Sequence, residues 1–119
     1  MSNEFQPGDF LVFQLEAGYG LVKILAIDDA GNDKIWHLAG YEDLFMDVDS
    51  ADEALKKPES LKVSYPHLAL TTRAFQSTQV AKMSNEPLST SERQLIDAWR
   101  SGPNHEVSDR SFRLLMGLR

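Results

Sequence analysis

The residues of this chain best equipped for chemistry are three histidines, His37, His67 and His105, and a run of carboxylates, Glu42, Asp43, Asp47, Asp49, Asp52 and Glu53. Imidazoles act as acid–base groups near neutral pH and as metal ligands. The three lie far apart, and none stands in the H-x-x-x-H spacing that puts two ligands on one helical face, so a metal site would need them to converge in the fold. His37, beside Trp36 in a strand, is expected at the surface or rim. Paired carboxylates can serve as acid and base when their surroundings drive their pKa values apart. They can also hold calcium, but the loop spacing with its glycine is missing. Here they read as a solvated acidic loop leading into a helix, with Asp52 and Glu53 where the helix dipole favours negative charge. There is no G-x-S-x-G elbow and no phosphate loop. With no cysteine in the chain, a thiol nucleophile, a disulfide scaffold and a Cys-based zinc site are excluded. Neither enzymatic activity nor a cofactor or metal is expected.

The elements that would position these groups are mostly strands. Pro7 and Gly8 punctuate the entry to Asp9–Glu16, D-F-L-V-F-Q-L-E. Leu11, Phe13 and Leu15 share one face, which is wholly apolar and is expected to point to the core, while Phe10, Val12 and Gln14 share the other. Ala17-Gly18-Tyr19-Gly20 supplies a turn, its glycines free to take positive φ. A second strand follows from Leu21 to Ile27, then a polar loop, Asp28 to Asp33, then a third strand, Lys34 to Ala39. Leu44-Phe45-Met46 could extend a strand. Ser50-Ala51-Asp52-Glu53 matches the S-x-x-E capping box and predicts a short helix from Ala51 to about Lys57. Leu61–Tyr65 and Leu68–Thr71 read as short strands around Pro66, and Thr78–Met83 as a closing strand. Ser89-Thr90-Ser91-Glu92 is a second capping box opening a helix to about Arg100, with Trp99 packing it onto the strands. A last helix, Asp109 to Met116, is capped by Ser108.

Taken together these elements predict an α+β, mainly β fold. It is a small antiparallel SH3-like barrel over residues 1–88, with one crossover helix and a two-helix C-terminal tail over residues 89–119. The chain is short enough to form one domain. Its N-terminus lacks a basic region followed by an apolar run, so no signal peptide is expected, and no apolar stretch approaches the roughly 20 residues that span a bilayer. A cytoplasmic location is expected.

The charge is unevenly placed. Residues 1–58 carry 12 acidic and 4 basic residues, residues 59–88 carry 2 and 3, and residues 89–119 carry 4 and 5. An acidic front half repels phosphate backbones and attracts basic partners. The tail's Arg93, Arg100, Arg110, Arg113 and Arg119 leave it only slightly positive, short of the concentrated basic face that nucleic acid requires. Tyrosines combine large contact area with a polar handle, so Tyr19 and Tyr41 join Glu42, Asp43, Asp47, Asp49, Asp52 and Glu53 as expected partner-binding residues.

The stretch PGDFLVFQLEAGYGLVKIL, followed by HLAGYEDLF and SADEALKK, resembles the bacterial immunity protein 26 family over about residues 6–85. Gly8, Asp9, Gly18, Tyr19 and Gly20 carry the match. The resemblance implies an SH3-like barrel that neutralises a secreted toxin by binding it, and an acidic rim suited to a basic toxin site. The same hairpin also resembles the KOW-type element of ribosome- and polymerase-associated proteins, which would imply an RNA- or protein-binding module. The acidic front half opposes the RNA version.

Overall fold

A computed structural model describes residues 5–118. Met1–Glu4, the start of the stretch read for a signal peptide, and Arg119 of the basic tail lie outside the described residues. Among the described residues five strands form one antiparallel sheet in the order β4-β3-β2-β1-β5. In chain order the elements are β1 (Asp9–Leu15), β2 (Gly18–Ala30), β3 (Asp33–Tyr41), α1 (Val48–Ala54), β4 (Val63–Thr71), α2 (Thr72–Gln76), β5 (Val80–Asn85), α3 (Thr90–Ser101) and α4 (Phe112–Leu115). The α+β, mainly β character is as expected. Closure into a barrel is not seen in the pairing, because β4 and β5 are the two edges of the sheet. Pro66 sits on the edge strand β4, where its missing N–H costs no ladder bond.

The strands are longer than their alternation implied. Asp28, Asp29 and Ala30 pair with Ile35, Lys34 and Asp33. The polar stretch expected to be a loop is therefore the end of a long hairpin closed by Gly31 and Asn32 alone. Cross-strand hydrogen bonding outweighs the turn preference of its residues here.

The first hairpin also differs. Leu15 pairs with Gly18, so the turn is Glu16-Ala17. The glycines serve close approach instead. A Cβ on Gly18 (φ +150) would lie 2.2 Å from the Phe45 carbonyl oxygen, and one on Gly20 would lie 2.6 Å from the Phe13 ring. Tyr19 and Phe45 exchange both backbone hydrogen bonds, at 2.8 and 2.9 Å, so the Leu44–Met46 segment is docked at one bridge and is not a strand.

Both faces of the sheet are covered. Leu11, Phe13, Val22, Ile24, Leu38 and Leu70 pack under Phe75 of α2, Phe112 of α4 and Met116 at the end of α4. On the opposite side Phe10, Val12, Leu21 and Tyr41 pack under Ala51 and Leu55. Phe10 and Val12, assigned to the outer face of β1, are thus core residues. A run buried on both faces reads as continuously apolar, as F-L-V-F does. A register shift between Ile24 and Ala26 bulges β2, and Leu25 and Ala26 are both buried, with Ala39, against Ile96 of α3.

The helix ends follow local chemistry. Asp47, not Ser50, caps α1: its carboxylate accepts the Ser50 N–H at 2.8 Å, and the helix begins three residues earlier than the S-x-x-E pattern placed it. The Ser89–Glu92 capping box of α3 is formed in both directions. α4 is a single turn capped by Ser111 instead of Ser108. Ser108 is drawn to the sheet edge, its N–H donating to the Ala69 carbonyl and its carbonyl accepting from the Thr71 N–H.

Candidate functional site

Two of the three histidines do converge. Antiparallel pairing sets His37 of β3 opposite Ala69, next to His67 of β4. The ring nitrogens His37 Nδ1 and His67 Nε2 are 2.8 Å apart, and His37 Nε2 lies 3.1 Å from Asp28 Oδ2 on β2. His37 is wholly buried, against the expectation of a rim residue, because α3 covers it: the Trp99 ring meets it edge-on at 4.7 Å. His105 also packs against Trp99, at 4.8 Å. Arg100, one residue beyond Trp99, grips both oxygens of Asp28 at 2.6 and 3.1 Å.

These partners define the protons. A carboxylate only accepts, and the Arg100 guanidinium holds the Asp28 carboxyl below its ordinary pKa. His37 therefore donates Nε2–H to Asp28 and presents the Nδ1 lone pair to His67, which donates its own Nε2–H. Burial pushes both imidazoles toward the neutral form, His37 downward and His67 down to about 4, with the neighbouring His37 adding to the effect on His67. The chain is a proton-ordered relay from carboxylate to imidazole to imidazole. His67 lines an open cleft of about 650 Å³ with Trp99 and Ser108, yet no side-chain hydroxyl is hydrogen-bonded to it among the described residues. What the network does hold is α3 against β2 and β3.

The expected partner-binding residues divide. Asp47, Asp49, Asp52 and Glu53 are exposed on α1 or at its cap, and Glu42 is exposed just before it. Asp43 is half-buried and accepts the Lys62 N–H at 2.7 Å. Glu53 pairs with Lys56 at 3.0 Å, an exposed i,i+3 contact of small energetic weight. Tyr19 is half-buried against the core under α1. Tyr41 is 5% exposed, so it belongs to the core and not to the outer rim. Between these acids stand side chains that sequence reasoning did not select: Leu44, Met46 and Val48 are 53%, 88% and 40% exposed.

Tyr41 instead lines a second cleft, of about 540 Å³, between the Pro58–Val63 segment and the start of α3. Phe10, Leu61, Val63 and Leu95 are among its apolar walls. At its buried floor the Lys23 ammonium donates to Glu92 Oε1 at 2.9 Å and sits 5.2 Å from the centre of the Phe10 ring. The Tyr41 phenol has no hydrogen-bond partner among the described residues, and burial, with the nearby Glu92 charge, raises its pKa. Glu59 and Glu86 stand exposed at the margin.

Asp9, from the G-D pair that carries part of the family resemblance, is fully buried. It accepts from the Gln6 N–H at 2.9 Å and from Asn85 Nδ2 at 2.8 Å, tying β5 to the start of β1. Among the described residues, no three His, Cys, Asp or Glu side chains are grouped so as to hold a metal ion. Nor is any helix among them long and apolar enough to cross a membrane. No protein-family model, curated protein or solved structure matches this chain.

Proposed function

We propose that this chain is a non-enzymatic binding protein whose Glu42–Glu53 surface takes a basic protein partner. In its most concrete form it is an immunity-type inhibitor, acting in the cytoplasm, that masks the basic site of a toxin. The single observation carrying this reading is the exposure of Leu44, Met46 and Val48 within five consecutive residues that also contain Asp47, with Asp49, Asp52 and Glu53 following on α1. Apolar side chains set inside a polar rim are the anatomy of a protein interface. A rim of one sign speeds encounter with a partner of the other and rejects polyanions. On this reading the meander is an SH3-like arrangement, open between β4 and β5, that serves as a rigid mount for the acidic segment.

The test compares capture by the tagged wild type and by a Met46→Ser/Asp49→Lys variant from nuclease-treated extracts of the native cells. The expected result is one basic protein in stoichiometric amount with the wild type and its loss with the variant. Equal recovery by both proteins would show that this surface is not the interface. Ribosomal or polymerase subunits that disappear with nuclease would replace this reading with the gene-expression module.

A further inference from the structure

The cleft under Tyr41 has a chemistry of its own. Its apolar walls can accept an unbranched aliphatic stem, and its volume of about 540 Å³ falls among ligand-binding pockets. Its charges do not cancel. Lys23 is matched by Glu92 at 2.9 Å, and its Nζ also reaches the Pro87 carbonyl at 3.5 Å, whereas Glu59 and Glu86 have no ion-pair partner among the described residues. The Tyr41 phenol makes no hydrogen bond among the described residues, and its oxygen is not sealed from solvent although the residue as a whole is 5% exposed, so it is free to accept from a guest in the cleft. A hydrogen-bonding head on an apolar stem, carrying positive charge, would satisfy all three features at once. Arginine has this build: a methylene stem that packs on apolar surface and a guanidinium with five donors.

We propose that this cleft receives an arginine side chain of the partner protein, with the Tyr41 oxygen accepting from the guanidinium and Glu59 and Glu86 balancing its charge. The inference rests on the basic-partner reading above and adds the residue that anchors the partner. The site is joined to the acidic segment through Leu61, which both lines the cleft and packs in the core beneath α1. Lys23 does not repel the guest as a free ammonium would, since Glu92 and the Phe10 ring already take up its charge.

The experiment titrates the full-length protein with acetyl-Gly-Arg-Gly-amide, followed by NMR, alongside acetyl-Gly-Nle-Gly-amide, which keeps an uncharged stem, and acetyl-Gly-Glu-Gly-amide. The expected result is saturable shifts at Leu61 and Leu95 with the arginine peptide alone. They should weaken roughly fivefold or more in Tyr41→Phe and in Glu59→Gln/Glu86→Gln, a loss of the size that one charged hydrogen bond confers. Absence of saturable shifts, or equal shifts with the norleucine peptide, would overturn the proposal. The double glutamine variant changes exposed side chains only and guards against misfolding of the tyrosine variant. Arginine binding that persists while no basic protein is ever captured would leave the site standing and remove the partner reading.

Discussion

The histidine network and the acidic segment both gather several ionisable groups, and they are organised in opposite ways. In the network the groups are bonded to one another: Arg100 donates to Asp28, His37 to Asp28 and His67 to His37. Around α1, Asp49 and Asp52 face solvent without a hydrogen-bond partner among the described residues, and Met46 is almost fully exposed beside them. Residue type alone would have ranked the histidines first as a functional site. Satisfaction ranks them the other way, because Asp28 and both ring nitrogens of His37 are already bonded within the network, and of the two histidines only His67 keeps a ring nitrogen without a partner among the described residues. The network acts as a strut that clamps α3 to the sheet, and the acidic segment presents unspent valence.

That contrast can be broken by mutation. His37→Ala should have the largest effect, a loss of roughly 2–4 kcal/mol in urea unfolding, since it opens a buried cavity and orphans the His67 donor. Partner capture by the folded fraction should be unchanged. A mild loss would mean that the network is not a strut.

Acid should act on the network next. Both histidines titrate lower in the folded state than the unfolded value of 6.5. Their contribution is thus complete above that pH and is lost as pH falls toward about 4, because the unfolded chain takes up the protons. Asp28, shifted downward by Arg100, begins to lose its contribution only below its ordinary 3.8. Unfolding free energy should fall by roughly 2 kcal/mol between pH 7 and pH 4.5. His67→Gln should flatten that slope, and an unaltered slope would place the titration elsewhere.

The smallest stability effect belongs to the acidic segment. Asp49→Lys/Asp52→Lys should move unfolding free energy by no more than about 1 kcal/mol, mainly through the lost favourable charge near the helix N-terminus. Any larger loss would mean that these acids are structural after all, and the distinction between the two regions would collapse.

Some of this was legible along the chain. The Ser89–Glu92 capping box is a contact within one helical turn, so four adjacent residues suffice to announce α3, and it forms as read. The Ser50–Glu53 pattern misled because Asp47, three residues earlier, is an equally good cap whose carboxylate meets the Ser50 N–H. Exposed apolar side chains such as Met46 leave no local mark, as the same residue in a core would be written identically. The histidine network was invisible for a plainer reason: His37 and His67 are 30 positions apart.

Composition and alternation were enough to establish a mainly β chain without thiol chemistry and with its acid concentrated in the front half, because those properties reside in residue identity and short-range backbone preference. Three matters were decided only when distant segments packed together. They are the burial of Phe10 and Val12 by a second layer of helices, the passage of Tyr41 from the outer rim into a cleft, and the meeting of two histidines under Trp99. Burial and pairing depend on what lies across the sheet, and strand register, with its bulge at Leu25, sets that over the whole molecule at once.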